Sequence, residues 1–296
     1  MSSPIHNARR SLEGLSIGDA FGQRFFDSRN LDRLPRRELP DAPWHWTDDT
    51  AMACDILHIL NVHGEICPDE LAQRFADTYA SGDDRGYGPS MHRVLRDIGD
   101  GVPWTVAAGR IHENEGSLGN GAAMRAGPVG ACFAGDLAKV VEQARRSAIV
   151  THAHPEGVAG AIAVAVTGAV VCQFRDAPPT EVRDRVAEHC LSLTPRGATW
   201  LGVQKALELD LDFDPRTAAS ALGSGAKMRS DDTVPFALWS ALRRLDDFEE
   251  AMWDTVTALG DRDTTCAIVG SIVASRVGME GIPRLWASRR EPLPGI

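Results

Sequence analysis

Helical periodicity recurs along almost the whole chain, and alternating strand patterns of useful length are absent. The segment DDTAMACDILHILNVHG places Met52, Ile56 and Leu60 on one helical face, and Gly64 is a typical stop signal. Similar patterns follow in PDELAQRFADTYASG, EVRDRVAEHCLSL and TVPFALWSALRRLDDFEEAMWDTVTALG. The loops are short, are marked by Gly and Pro, and include no low-complexity linker. The sequence therefore predicts one compact all-α domain over residues 1–296.

Two of the predicted helices carry unusually small side chains. Residues 158–171 are mostly Ala, Gly and Val, and residues 267–277 add Ser to the same set. Because Gly in a helix costs about 1 kcal/mol relative to Ala, such residues indicate close packing at the centre of a bundle. Both helices follow polar segments, THAHPEG and GDRDTT. This arrangement predicts a site built at the ends of buried helices.

Composition limits the classes of partner and the compartment. The formal net charge is -10, with 41 acids against 31 Lys and Arg, so nucleic acid or an anionic membrane is not expected as the main partner. The N-terminal residues show no signal-peptide pattern, and no apolar run has the length of a membrane helix. None of the six cysteines lies in a CxxC pair, which favours a reducing compartment. We expect a cytoplasmic protein.

Two acidic clusters begin helices more than 200 residues apart. They consist of Thr47, Asp48, Asp49 and Thr50 and of Asp261, Asp263, Thr264 and Thr265. Each is compatible with an ordinary helix N-terminus, in which Thr47 caps and acids favour the positive end of the dipole. A third segment, SDDTVPFALW, shows that Asp-Asp-Thr recurs in this chain. The triplet by itself therefore does not identify a site.

The surroundings of the two clusters favour a metal site. The first follows Trp44 and Trp46, and the second precedes a predicted core helix. Several carboxylates at partly buried helix ends repel one another unless a cation neutralises them. Carboxylate and hydroxyl oxygens suit Mg²⁺, and two ions roughly 3.5–4 Å apart can orient a hydroxyl or activate water. Zinc is not favoured, because no Cys/His set has the usual spacing.

Two further segments are candidates for ligand binding. GSLGNGAAMRAGPVG offers backbone amides for phosphate before a helix predicted near Ala122, although a plain glycine-rich turn is the more usual explanation of so short a pattern. It matches neither a dinucleotide-binding fingerprint nor a P-loop. THAHPEG supplies His152 and His154, either of which is a candidate for substrate binding or proton transfer.

Taken in order, five segments resemble the ADP-ribosylglycohydrolase family, which includes the dinitrogenase reductase-activating glycohydrolases. They are GLSIGDAFGQ, WTDDTAMA, GSLGNGAAMRAGPVG, THAHPEGVAGAIA and GDRDTTCAIVGSIV, and they extend over nearly the whole chain. The resemblance implies an all-α fold, a compact orthogonal multi-helix bundle with a central cleft for two Mg²⁺ or Mn²⁺ ions. It also implies hydrolysis of an N- or O-glycosidic bond at the anomeric carbon of ADP-ribose, on a protein side chain or a small acceptor.

The resemblance assigns roles to residues of this chain. The implied metal ligands are Thr47, Asp48, Asp49, Asp261, Asp263 and Thr264. The implied substrate-binding residues are Ser117, Gly119, Asn120, Gly121, Met124, Arg125 and His152, with less support for His154. Asp231 and Asp232 are expected near the distal ribose without binding metal. The predicted general base is Asp48 or Asp49, with Asp83 and Asp84 as alternatives.

The sequence departs from the family pattern at two positions. Many members have a glutamate where this chain has Phe26, and the neighbouring acid is Asp27. Arg262 stands where small residues are more usual, and one alternative is that it reaches a phosphate or an acid of the cleft. These departures leave open a catalytically weak or inactive, ADP-ribose-binding or structural member of the family. A metal-dependent phosphohydrolase, which would release phosphate, is the third hypothesis.

Overall fold

The computed structural model describes residues 3–82 and 84–295 of the chain. The α-helices are, in chain order, α1 Pro4–Gln23, α2 Asp48–His63, α3 Pro68–Ala80, α4 Pro89–Gly99, α5 Trp104–Gly109, α6 Gly127–Cys132, α7 Leu137–Ile149, α8 Pro155–Gln173, α9 Pro179–Leu193, α10 Ala198–Glu208, α11 Pro215–Leu222, α12 Ser230–Arg243, α13 Phe248–Thr257, α14 Arg262–Val277 and α15 Arg284–Arg289. Short 3-10 helices cover Arg24–Phe26, Ser28–Arg36, Asn120–Ala122 and Met279–Gly281. The described residues contain no β-strand, so the predicted all-α fold is confirmed.

Local sequence signals account for several helix ends. Helix α2 ends at Gly64, whose φ of 71° is the left-handed conformation that glycine adopts without strain. Asp136 and Asp247 are the N-cap residues of α7 and α13, and their side chains accept a backbone hydrogen bond from the first turn. The prediction that a helix begins near Ala122 is wrong, because that segment forms a 3-10 turn and α6 begins only at Gly127.

The two helices with small side chains lie in the interior, as predicted. Every residue of α8 from Gly157 to Cys172 is buried, and so is every residue of α14 from Thr264 to Arg276. Helix α8 has the length and hydropathy of a membrane span, but 89% of its most apolar window is buried inside the protein. Neighbouring helices therefore account for its apolar surface.

A row of glycines lets α1 approach the backbone of α14. A Cβ atom added at Gly14 would lie 2.3 Å from the carbonyl oxygen of Gly270, and one at Gly18 would lie 2.1 Å from that of Cys266. At Gly22 the corresponding distance, to Arg262 O, is 2.2 Å. Any larger side chain at these positions would push the helices apart. This contact brings the C-terminal half of α1 beside the start of α14.

Candidate functional site

A cavity of about 770 Å³ lies where the starts of α2 and α14 meet the glycine-rich loop. All six predicted metal ligands line it, and so do all predicted substrate-binding residues except Arg125. The remaining lining residues are Gln23, Phe26, Met52, Gly86, Tyr87, Gly88, Pro89, Ser90, Met91, His112, Leu118, Lys227, Met228 and Arg229. The structure thus brings together two segments that are separated by more than 200 residues in the sequence.

Asp19 of α1 holds the start of α2 in place. Its Oδ2 accepts hydrogen bonds from the backbone N–H of Thr47 (2.9 Å) and of Thr50 (3.1 Å), and its Oδ1 accepts one from the Thr47 hydroxyl (2.8 Å). Thr47 itself makes no side-chain cap, so the expectation that it caps α2 is wrong. The reason is that a carboxylate from a neighbouring helix satisfies the free N–H groups instead.

The acids at the two helix starts lie close enough to disfavour one another's charge. Burial raises the pKa of Asp49 well above its ordinary value, and the charges of Asp19, Asp263 and Asp48 raise it further. Burial and the charge of Asp19 likewise raise the pKa of Asp48, whereas burial and the charge of Asp261 raise that of Asp263. Burial also raises the pKa of Asp19, to about 6.

Within the part of the chain that the structure describes, the acidic cluster makes no close ion pair, and the charges of Arg125 and Arg262 act on it only from a longer distance. Among the described residues, none of the ion pairs involves the acids at positions 19, 48, 49, 261 or 263. The buried Oδ1 of Asp49 has no hydrogen-bond partner at all. Its Oδ2 lies 3.1 Å from the Thr47 hydroxyl, whose single proton is also within reach of Asp19 Oδ1. A buried carboxylate oxygen without a hydrogen-bond partner, among carboxylates that make no close ion pair, fits a hard divalent cation.

The glycine-rich loop is fastened to both α12 and α14. The side-chain amide of Asn120 donates to Asp261 Oδ2 (2.6 Å) and to Thr233 Oγ1 (2.9 Å). The backbone N–H of Asn120 donates to the carbonyl of Met228 (3.1 Å). At Gly121 an added Cβ atom would lie 2.7 Å from the ring of His152, so only glycine leaves room for the imidazole. The loop therefore links the acidic cluster to His152.

Hydrogen bonds connect His152 to the buried guanidinium of Arg125 through Thr151. Arg125 donates from Nη2 to Thr151 Oγ1 (2.8 Å), and Thr151 Oγ1 lies 2.8 Å from His152 Nδ1. Since burial and the charge of Arg125 lower the pKa of His152 to about 3, the imidazole is neutral. The Thr151 hydroxyl can accept from Arg125 and either donate to Nδ1 or accept from it, so both tautomers of the neutral imidazole satisfy this contact. Nε2 also lies 3.3 Å from where a Cβ of Gly119 would stand, beside the cavity.

Arg125 stands behind the cavity wall, so the structure does not place it in contact with a ligand there. Its guanidinium is completely buried and donates to the carbonyls of Gly121 (2.8 Å) and Ser147 (3.0 Å). It also lies 4.7 Å from the ring centroid of Phe75. Arg125 therefore supports the loop and His152 rather than lining the cavity.

Several other residues singled out in the sequence also lie outside the cavity wall. His154 caps α8, because its Nδ1 accepts from the N–H of Glu156 (3.1 Å). Asp231 pairs with Arg229, and Asp84 accepts from the N–H of Gly86 (3.0 Å) in an exposed turn. Asp232 binds the preceding loop and is also absent from the lining. Asp83 lies outside the described residues.

The position of the usual glutamate is filled by an aromatic side chain. Phe26 lines the cavity with 47% of its surface exposed, and the guanidinium carbon of Arg262 lies 4.5 Å from its ring centroid. Arg262 donates to the backbone carbonyls of Phe25 and Gly260 and does not line the cavity, so the expectation that it reaches into the cleft is wrong. Asp27 binds Arg29 at the surface and supplies no replacement carboxylate.

Sequence reasoning missed Asp19 and part of the cavity rim. Asp19 directly follows Gly18 in the segment GLSIGDAFGQ. Its place beside the glycines at which α1 contacts α14 is the sequence signal that could have identified it. Tyr87, His112 and Met228 belong to loops whose sequence carries no motif, and only the chain fold brings them to the opening. The residue pattern could not have identified them.

Comparisons with known proteins agree with this geometry. A family model described as ADP-ribosylglycohydrolase matches residues 2–294. An ADP-ribosylhydrolase ARH3 from Xenopus tropicalis is 27% identical, with 97% of this chain and 91% of that protein covered. An ADP-ribosylarginine hydrolase Tri1 from Serratia proteamaculans is 21% identical, with 97% and 76% covered. A solved structure titled "ADP-ribosylglycohydrolase-related protein complex" superposes with a TM-score of 0.70 at 24% identity, covering 98% of this chain and 94% of that one.

Proposed function

Because this chain belongs to the ADP-ribosylglycohydrolase family, we propose that it is a Mg²⁺-dependent hydrolase that releases ADP-ribose from a glycosidic linkage. The observation that carries the proposal is the acidic cluster, in which Asp49 Oδ1 has no hydrogen-bond partner, at the same cavity as the Gly-Asn-Gly loop. A phosphohydrolase has no comparable support, since the family match concerns a glycosidic bond.

The metal would be held by oxygen ligands from the two helix starts. The proposed ligands are Thr47, Asp48, Asp49, Asp261, Asp263 and Thr264, all at the cavity surface. When bound, Mg²⁺ or Mn²⁺ would orient the ribose diol and lower the pKa of a water molecule. Asp19 would position Thr47, because its carboxylate receives both the backbone N–H and the hydroxyl of that residue.

The glycine-rich loop and His152 are suited to the rest of the ligand. The loop places the backbone of Gly119 and Gly121 at the cavity surface, where a phosphate can approach it. The N–H of Gly119 already donates to Ser117 Oγ (3.2 Å), so this hydroxyl lies at the same place. His152 is neutral and holds Nε2 beside Gly119 and Gly121, where this nitrogen can exchange a hydrogen bond with a hydroxyl group of the ligand in either tautomer. A volume of about 770 Å³ is within the range of cavities that enclose small molecules.

Hydrolysis needs a group that removes a proton from the attacking water. Asp48 and Asp49 are the proposed candidates, because the carboxylates of both line the cavity. The leaving group would take its proton from the same carboxylate after bond cleavage. Phe26 offers no acid for this role, so the chain depends on the carboxylates of the cluster.

The acceptor attached to ADP-ribose is a protein side chain or a small compound. Relatives bear the names ADP-ribosylhydrolase ARH3 and ADP-ribosylarginine hydrolase, so both an arginine-linked and a different acceptor are worth assaying. Phe26 favours one second candidate function, an ADP-ribose-binding member with little turnover. In that case ligand binding and metal binding would persist while hydrolysis would be slow.

The decisive experiment combines binding with turnover. Purified protein is heated with Mg²⁺, with ADP-ribose and with both, and ADP-ribosyl-arginine and ADP-ribosyl-serine peptides are assayed for ADP-ribose release. We expect the highest melting temperature with both ligands and Mg²⁺-dependent release from at least one peptide. Stabilisation without release would support the binding member, and the absence of both effects would refute the proposal. Phosphate as the product would instead indicate a phosphohydrolase.

A further inference from the structure

A second group of metal-ligating side chains lies at the opposite end of α2 from the acidic cluster. His63 ends that helix, Cys67 is the N-cap of α3, and Glu70 lies in the first turn of α3. One ligand atom from each residue lies within 4.8 Å of the other two, and His63 Nε2 is 2.5 Å from Glu70 Oε2. The four-residue connection between the two helices brings the three side chains together.

The donor set differs in kind from that of the cavity. An imidazole nitrogen, a thiol sulfur and a carboxylate oxygen suit a borderline metal such as Zn²⁺ or Co²⁺, whereas Mg²⁺ prefers oxygen alone. In a tetrahedral zinc site the ligand atoms lie about 2.0–2.3 Å from the metal, so any two of them lie within about 4 Å of each other. The observed separations need only a small adjustment of exposed side chains to meet this requirement.

The charges around Cys67 favour a cation. Burial raises the pKa of the Cys67 thiol, and the charges of Glu70 and Glu65 raise it further. The opposing cation is Arg146, which already lies 3.3 Å from Glu65 and 2.8 Å from Glu142. A divalent ion would neutralise the carboxylate of Glu70 and replace the proton of the thiol.

Cys67 is also accessible, unlike the other cysteines. All six cysteines are free thiols, and Cys67 is half-buried whereas the remaining five are buried. The side chains of His63 and Glu70 are 29% and 57% exposed, so an ion can enter from solvent and keep water at its open position. The site lies about 22 Å along α2 from Asp48, since a helix rises about 1.5 Å per residue.

We propose that His63, Cys67 and Glu70 bind one Zn²⁺-class metal ion, with water as a fourth ligand, and thereby join α2 to α3. The site is separate from the proposed Mg²⁺ site in position and in ligand chemistry. It makes the turn between these helices a metal-dependent structural element. The sequence pattern H-x3-C-x2-E differs from the usual zinc motifs. Those motifs have a second pair of Cys or His ligands, whereas this segment offers a single Glu.

The test uses Co²⁺ as a spectroscopic probe and Zn²⁺ as a competitor, with the full-length protein in saturating Mg²⁺. We expect one Co²⁺ per chain with a thiolate-to-cobalt charge-transfer band, which one equivalent of Zn²⁺ removes. Zn²⁺ should also protect Cys67 from thiol reagents and raise the melting temperature. The variant Cys67→Ser should lose the band completely while it keeps the Mg²⁺-dependent activity of the unmodified protein.

Glu70→Gln and Glu65→Gln form a matched pair of variants. Each removes one exposed carboxylate near Cys67, but only Glu70 belongs to the proposed ligand set. Zn²⁺ affinity should fall at least about tenfold in Glu70→Gln and remain within a few-fold in Glu65→Gln. A band that persists in Cys67→Ser, equal losses in the two glutamate variants, or no band in the unmodified protein would overturn the proposal. None of these outcomes depends on hydrolytic activity.

Discussion

Helices α2 and α12 begin with the same triplet, Asp-Asp-Thr, but they place it in opposite electrostatic surroundings. In α12, Asp231 accepts two hydrogen bonds of 2.9 Å from the guanidinium of Arg229. Asp232 accepts from the N–H of Lys227 (2.9 Å), and the Lys227 ammonium lies 3.7 Å away. In α2 the acids have no such partner among the described residues, and one oxygen of Asp49 makes no hydrogen bond.

The contrast shows that the acids of a helix start are available to a ligand only when another residue binds the free backbone N–H groups of that start. Asp232 is engaged in holding the loop before α12, where the N–H of Gly225 also donates to its backbone carbonyl (3.0 Å). In α2 the capping is done by Asp19 from α1, so the carboxylates of Asp48 and Asp49 are left to face the cavity. The first arrangement is structural, and the second is suited to a cation.

The largest expected effect comes from removing a carboxylate of the acidic cluster. Asp49→Asn should lower activity by more than about 100-fold, which exceeds the usual effect of a group that only supports a ligand. In metal-free protein at neutral pH the same variant should unfold at a higher temperature, because it removes a buried carboxyl group whose pKa is raised by its neighbours. Calorimetry with and without Mg²⁺ measures whether the difference in unfolding temperature between the variant and the unmodified protein changes sign when the ion is added.

Asp231→Asn is the matched control for this prediction. It should change the free energy of unfolding equally in the presence and absence of Mg²⁺, since Asp231 lies outside the cavity and is paired. If Asp49→Asn and Asp231→Asn respond to Mg²⁺ in the same way, the contrast between the two helix starts has no functional meaning.

A smaller effect on activity is expected from the cap that Asp19 provides. Asp19→Asn keeps an acceptor for a backbone N–H but loses the charge and one of the oxygens that receive Thr47. Activity should fall about 10- to 100-fold, as for groups that orient a metal ligand. The control is Asp136→Asn, which changes the cap of α7, because Asn and Asp cap helices about equally well. Similar activity in the two variants would contradict a positioning role for Asp19.

Asp55 is a buried acid of α2 that has a basic partner, so it shows how burial changes the pKa of a paired carboxyl group. Its Oδ1 lies 2.9 Å from Arg74 Nε and accepts from the Thr78 hydroxyl (3.0 Å), yet burial raises its pKa to about 7. A carboxyl whose pKa is higher in the folded than in the unfolded state stabilises below the unfolded pKa, and this stability is lost as the pH rises through the folded pKa. The free energy of unfolding should therefore fall between about pH 4 and pH 7, by roughly 4 kcal/mol at most.

The variant Asp55→Asn isolates this contribution. Its free energy of unfolding should vary less over the same pH range, and Mg²⁺ should not alter the difference between the two proteins. Chemical denaturation at a series of pH values measures both quantities. Parallel pH profiles for the variant and the unmodified protein would show that Asp55 is ionised throughout.

Much of the fold and part of the candidate site follow from local sequence signals. Helical periodicity predicts α2 and α3, Gly64 marks the end of α2, and small residues predict that α8 and α14 are interior helices. These features depend on residues close together in the chain, where propensity and periodicity are informative. The convergence of the two acidic clusters at one cavity was predicted from their order with the other family segments.

The parts that escaped prediction depend on contacts between distant segments. Thr47 has the sequence of a cap but does not act as one, because Asp19 reaches the same N–H groups from another helix. Arg125 occurs in the predicted binding segment yet faces the interior, where it supports Gly121 and Thr151. Arg262 is likewise held by backbone carbonyls beside Phe26. Side-chain direction in these cases is set by tertiary packing, which a single sequence does not record.

The smallest expected effect concerns Arg229, which lines the cavity and is held by Asp231. Releasing the guanidinium with Asp231→Asn should lower the free energy of unfolding by less than about 1 kcal/mol, as for other partly exposed ion pairs. KM for the ADP-ribosyl substrate should change by less than tenfold, since tenfold corresponds to about 1.4 kcal/mol, and kcat should not change. Added salt should reduce the difference between the variant and the unmodified protein, because it screens exposed charges. A fall in kcat comparable with that of Asp49→Asn would place both Asp-Asp-Thr helix starts in the reaction and abolish the distinction between them.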